Sequence, residues 1–74
     1  MAVNMGDVKQ IIATQLGVAS VNDADRIVED LGAESSDVAN IIAALEDKYK
    51  ITIPEESLKS IATVRDVFAV VQKA

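Results

Sequence analysis

Two serines stand side by side in "DLGAESSDVANII", residues 30–42, between a glycine and an amphipathic run. A serine hydroxyl placed there has three chemical uses: nucleophile of a hydrolase, acceptor of a phosphate-bearing group, or helix cap. The first is disfavoured by what the chain lacks. Its 74 residues include no His and no Cys, so there is no Ser-His or Cys-His pair and no imidazole to act as general acid or base. No lysine is better placed in sequence to take over that task. If Ser35 or Ser36 is functional, it is a residue acted upon by another protein.

Local sequence leaves the other two uses open. Serine is among the best N-caps, worth about 1 kcal/mol over alanine, and Asp37 in the first turn suits the helix dipole. A helix N-terminus also favours an attached phosphate, through unpaired N–H groups and the positive dipole end. Gly32 permits a tight turn that leaves a serine exposed.

Other chemistry-bearing groups are weaker. Asp23, Asp25 and Glu34 occupy positions 1, 3 and 12 of a calcium loop, but Ile27 stands where an oxygen ligand belongs and Val28 replaces the required glycine. No zinc or haem site of common type is expected without His or Cys. Glu46 and Asp47 are not a catalytic pair, because adjacent helix positions point in different directions.

The elements that must position the serines follow from hydrophobic spacing. Val8, Ile11, Ile12 and Leu16 mark one face of a helix from about Asn4 to Leu16, with Gly17 as its left-handed stop. From Val18 to Glu34 no period holds, which predicts a long loop pinned by Val21, Ile27 and Leu31, with Val28 a further apolar anchor. Val38, Ile41, Ile42, Leu45 and Tyr49 give the cleanest stripe, predicting a second helix from about Ser36 to Tyr49. "KITIPEES" reads as an extended loop, Ile53 being biased away from helix by Pro54. A short helix near Glu56–Ile61 follows. Thr63 and Asp66 then have capping-box spacing before Val64, Val67, Phe68 and Val71. The expected fold is all-α: a small four-helix bundle, three helices longer and one short, forming a single domain over residues 1–74. With only Tyr49 and Phe68 aromatic, its core is aliphatic.

Charge narrows the partners. The net charge is −5, and residues 23–56 hold ten carboxylates against Arg26, Lys48 and Lys50, a local −7. Such a surface repels nucleic acid and favours basic protein patches. No apolar run approaches the ~20 residues needed to cross a bilayer and no signal peptide opens the chain, so no membrane insertion and a cytoplasmic location are expected.

"EDLGAESSDVANIIAALEDKYKITIPEE", residues 29–56, resembles the central segment of the acyl carrier protein family, whose pattern is roughly D-L-G-x-D-S-L, an amphipathic helix, then E-x-x-F and I-P. "VKQIIATQLGV" and "IATVRDVFAVV" are similar to its first and last helices, so the resemblance spans nearly the whole chain. It implies a carrier, not an enzyme, with 4′-phosphopantetheine attached covalently to Ser35 by a phosphopantetheinyl transferase. The arm would carry acyl cargo for fatty acid, lipid or polyketide-type biosynthesis. It further implies docking of acyl-handling enzymes with basic patches on the second helix, through Glu34, Ser36, Asp37, Asn40, Ala43, Glu46 and Asp47. A monomer is expected, whose core, with Ala39, Ala43 and Ala44, parts to shelter the acyl chain. Ser36 departs from the family's usual Leu, Asn40 from an acidic residue and Ala43 from a larger apolar one, which implies a specialised paralogue. The rival reading is an unmodified carrier-like interaction module in which Ser35 only caps the helix.

Overall fold

A computed structural model describes residues 3–74. Three α-helices, α1 (Met5–Leu16), α2 (Ser35–Tyr49) and α3 (Val64–Lys73), are joined by a long first loop and by an extended segment leading into a 3-10 helix, Glu55–Ser60. Among the described residues there is no strand, only an isolated antiparallel bridge between Arg26 and Thr63.

The bounds of α1 and the start of α3 follow the signals the sequence carries there. Asn4 caps α1, its Oδ1 accepting the Gly6 N–H at 2.7 Å. Gly17 ends it at φ 71°, a left-handed conformation that costs glycine little. There the Val18 N–H reaches the Ala13 carbonyl at 3.0 Å. The start of α3 is a capping box: Asp66 N–H donates to Thr63 Oγ1 at 3.2 Å and Thr63 N–H to Asp66 Oδ2 at 3.0 Å. Asp66 also accepts the Ala62 N–H, and these backbone donors hold its carboxyl below the usual carboxylate range.

The amphipathic stripes meet in one aliphatic core. Val8 and Ile12 of α1, Ile41, Leu45 and Tyr49 of α2, and Val64, Val67 and Val71 of α3 are buried together, closed off by Val21, Ile27, Ala33 and Ile53 from the connections. Helix α1 packs against both α2 and α3. Burying each large aliphatic side chain contributes roughly 1.5–3 kcal/mol, which replaces the disulfide or metal that domains of this size often need.

Several expectations are corrected. The second helix spans Ser35–Tyr49, within a residue of expectation, but neither serine is its N-cap: that position belongs to Glu34. The short helix is 3-10 and spans Glu55–Ser60, starting directly behind Pro54, whose fixed φ of −61° suits the residue preceding the first turn. Val28 is no anchor, being 55% exposed. Leu31 and Phe68, by contrast, pack against the core as expected, though only half-buried. The alanines do not line the core: Ala39 and Ala43 are exposed, and Ala44 borders an open groove between α1 and α2 together with polar Gln10, Thr14 and Lys48. Ala39 and Ala43 lie outside the Val38–Tyr49 stripe, so α2 turns them away from the other helices.

Candidate functional site

The segment leading to Ser35 is built by hydrogen bonds to distant parts of the chain. Ile27 N–H donates to the Ala62 carbonyl at 2.9 Å, Val64 N–H to the Asp25 carbonyl at 3.0 Å, and Arg65 N–H to the Asp23 carbonyl at 3.0 Å. The first loop is thus clasped to the start of α3. Asp23 extends the clasp through ion pairs with Lys9 of α1 and, at 4.0 Å, Arg65 of α3. The hydrogen bond from Lys9 holds the Asp23 carboxyl below its ordinary value.

Downstream of the clasp the chain tightens. Asp30 Oδ2 accepts the Arg26 N–H at 2.8 Å, and its carboxylate pairs with the Arg26 guanidinium at 3.4 Å. The backbone donor and then the guanidinium lower the Asp30 carboxyl, while Arg26 is held more firmly protonated by Asp30 and Glu29. Gly32 takes φ 73°, which any side chain would strain. Its N–H donates to the Val28 carbonyl and that of Ala33 to the Ile27 carbonyl, both at 3.1 Å. Ala33 is pressed into the core, and the chain emerges at Glu34.

Ser35 is therefore the first residue of α2, exposed, and next to the unpaired N–H groups of the helix start. The cap is made by its neighbours, with Glu34 N–H donating to Asp37 Oδ2 at 2.9 Å. That leaves the Ser35 hydroxyl uncommitted to the helix it begins. An exposed hydroxyl at a positive helix end, on a turn fixed by its surroundings, is chemically able to bear a phosphodiester. A flexible arm attached there would extend into solvent, so the residues present fit the group.

The other sequence-nominated residues divide. Ser36, Asn40, Ala43 and Asp47 are all exposed and, at intervals of four, three and four, lie on one outward ridge of α2. Asp37 and Glu46 are half-buried off that ridge with structural tasks, Asp37 at the cap and Glu46 accepting the Ile53 N–H through Oε2 at 2.7 Å. Asp23 and Asp25 do not join Glu34: Asp23 faces Lys9, while Asp25 Oδ2 accepts the Asn22 N–H at 2.8 Å. Among the described residues no three acidic groups are placed to hold a metal ion. The clasp has no signature in the sequence, since long-range backbone bonds leave no local period. The exposure of Val28 has one only in its place beside Ile27, the two neighbours facing opposite ways.

Comparison with known proteins accords with this arrangement. The family model for the phosphopantetheine attachment site matches residues 6–71. The chain is 46% identical over 63 residues to an acyl carrier protein of Wolinella succinogenes, covering 82% of this chain and 83% of that one. It is 42% identical over 67 residues to one of Helicobacter hepaticus, covering 88% of each. The crystal structure of an acyl carrier protein from Thermotoga maritima superimposes with a TM-score of 0.78 at 25% identity, over 93% of this chain and 82% of that one. The chain belongs to the acyl carrier protein family: it is a carrier with covalent phosphopantetheine and not an enzyme.

Proposed function

We propose that Ser35 is the residue that bears the phosphopantetheine. The observation that carries this reading is the division of labour at the start of α2. Asp37 satisfies the Glu34 N–H and Glu34 holds the cap position, so an exposed hydroxyl at the first helical residue is left without a structural duty. In attachment the Ser35 Oγ–P bond forms, the pyrophosphate bond of coenzyme A breaks, adenosine bisphosphate leaves, and the serine proton passes to a base on the transferase. Once attached, the arm supplies a terminal thiol that holds acyl groups as thioesters, and the protein supplies position.

Docking of the transferase and of acyl-handling enzymes is assigned to the outward ridge of α2, Ser36, Asn40, Ala43 and Asp47, with Glu34 at its head. Asp37 and Glu46 contribute charge from the flanks while serving the fold. The acidic character of residues 23–56 supports partners with basic patches. The small or uncharged residues at 36, 40 and 43 support a specialised paralogue with its own partner set. We read the carrier as one domain and a monomer working in the cytoplasm. Among the described residues no helix is long and apolar enough to cross a membrane.

The test is intact mass after incubation with coenzyme A and a phosphopantetheinyl transferase. The protein should gain one phosphopantetheine, a gain abolished by Ser35→Ala and kept by Ser36→Ala. Modification that persists in Ser35→Ala would overturn the assignment.

A further inference from the structure

Docking to a carrier needs apolar contact as well as charge, because exposed ion pairs contribute little by themselves. The outward ridge of α2 offers almost none: Ser36, Ala39, Asn40, Ala43 and Asp47 present only small or polar side chains. The large apolar side chains exposed among the described residues are Val28, at 55%, and Val18, at 37%. Val18 lies beyond the end of α1, beside a recess formed with the first loop. Val28 is in the turn that delivers Ser35.

Its placement is fixed. The next-door Ile27 is 2% exposed and bonded through its backbone to both Ala62 and Ala33, so Val28 is held outward by a neighbour locked inward. The Val28 carbonyl accepts the Gly32 N–H at 3.1 Å, a four-residue turn that spans about 6 Å. Three further residues reach Ser35, at most about 11 Å when extended. Val28 therefore lies no more than about 17 Å from Ser35, within a standard interface whose ~800 Å² per partner is about 30 Å across. Its charged neighbours are partly neutralised: Arg26 pairs with Glu29 at 3.7 Å and Asp30 at 3.4 Å. Covering Val28 thus desolvates ions that already have partners.

We propose that Val28 is the apolar anchor by which the phosphopantetheinyl transferase grips this carrier, taking over the contact that the ridge of α2 does not supply. It is a specificity-determining residue for modification, inserted into an apolar depression rimmed by basic side chains on the transferase. The inference rests on Ser35 as the attachment residue.

The experiment is steady-state modification by the transferase with coenzyme A, followed by intact mass, for the parent, Val28→Ser, Val28→Ile and Val18→Ser, with circular dichroism melts confirming that each is folded. Val28→Ser should raise KM for the carrier roughly five- to tenfold with kcat nearly unchanged, the pattern of lost uniform binding. Val28→Ile should keep the parent KM and Val18→Ser should leave it unaltered. A parent modified normally, with Val28→Ser equal to it or Val18→Ser equally impaired, overturns the anchor and leaves the Ser35 assignment standing. A parent that is not modified, or is modified elsewhere than Ser35, overturns that assignment and the anchor with it.

Discussion

Glu46 Oε2 receives the Ile53 N–H at 2.7 Å, so a carboxylate on α2 fixes the extended segment that follows the helix. Its sequence neighbour Asp47 points outward and is exposed. Glu46→Ala leaves the half-buried amide of Ile53 unsatisfied and should destabilise the fold by about 1–3 kcal/mol, most of which Glu46→Gln restores through its carbonyl oxygen. Asp47→Ala should change stability by less than about 0.5 kcal/mol while weakening partner binding. Urea denaturation measures the first pair and transferase kinetics the last.

Capping at the start of α2 gives a second expectation. If the neighbours carry the cap, Asp37→Ala costs about 1 kcal/mol. Ser35→Ala and Ser36→Ala stay within about 0.5 kcal/mol of the parent, since alanine is the better helix former at an exposed position. A loss of about 1 kcal/mol in Ser35→Ala would return that serine to a capping role.

Tyr49 is 7% exposed, and its hydroxyl is buried without a hydrogen-bond partner among the described residues. A desolvated, unmatched hydroxyl is a cost that phenylalanine avoids in the same volume. Tyr49→Phe should therefore raise the unfolding free energy by about 1 kcal/mol, read from the urea midpoint at unchanged m-value.

Acid should weaken the fold. Asp23, Asp30 and Asp66 all titrate below the ordinary 3.8 in the native state. Their contribution is complete above the unfolded pKa and is lost as pH falls through 3.8 and on through the lower native values, where the unfolded chain binds more protons. Thermal midpoints should fall between about pH 5 and pH 3, and Asp66→Asn should flatten that slope.

The parts of this fold that depend on local pattern could be read from the sequence. Val8, Ile12, Ile41 and Leu45 repeat at helical spacing and are buried, Gly17 stops α1, and Thr63 with Asp66 begins α3. The proposal of Ser35 as the attachment residue draws on resemblance and not on local chemistry, because serine at a helix start suits a cap as well as an attachment point. Its freedom from capping depends on Asp37 reaching back to Glu34, a choice of partner that residue preferences do not settle, glutamate being an uncommon N-cap. Glu46 looked like surface charge because its partner lies across the helix end. The clasp of Asp23, Asp25 and Ile27 onto Ala62, Val64 and Arg65 uses backbone atoms, which every residue possesses.

That clasp joins segments far apart in the chain, and contacts of such separation carry a loop-closure cost that local helices do not. The turn at Gly32 has short-range bonds of its own, and Ile27, which accepts the Ala33 N–H, also donates to Ala62 just ahead of the last helix. The proposed attachment point thus stands on a turn whose far mooring is the opposite end of the chain.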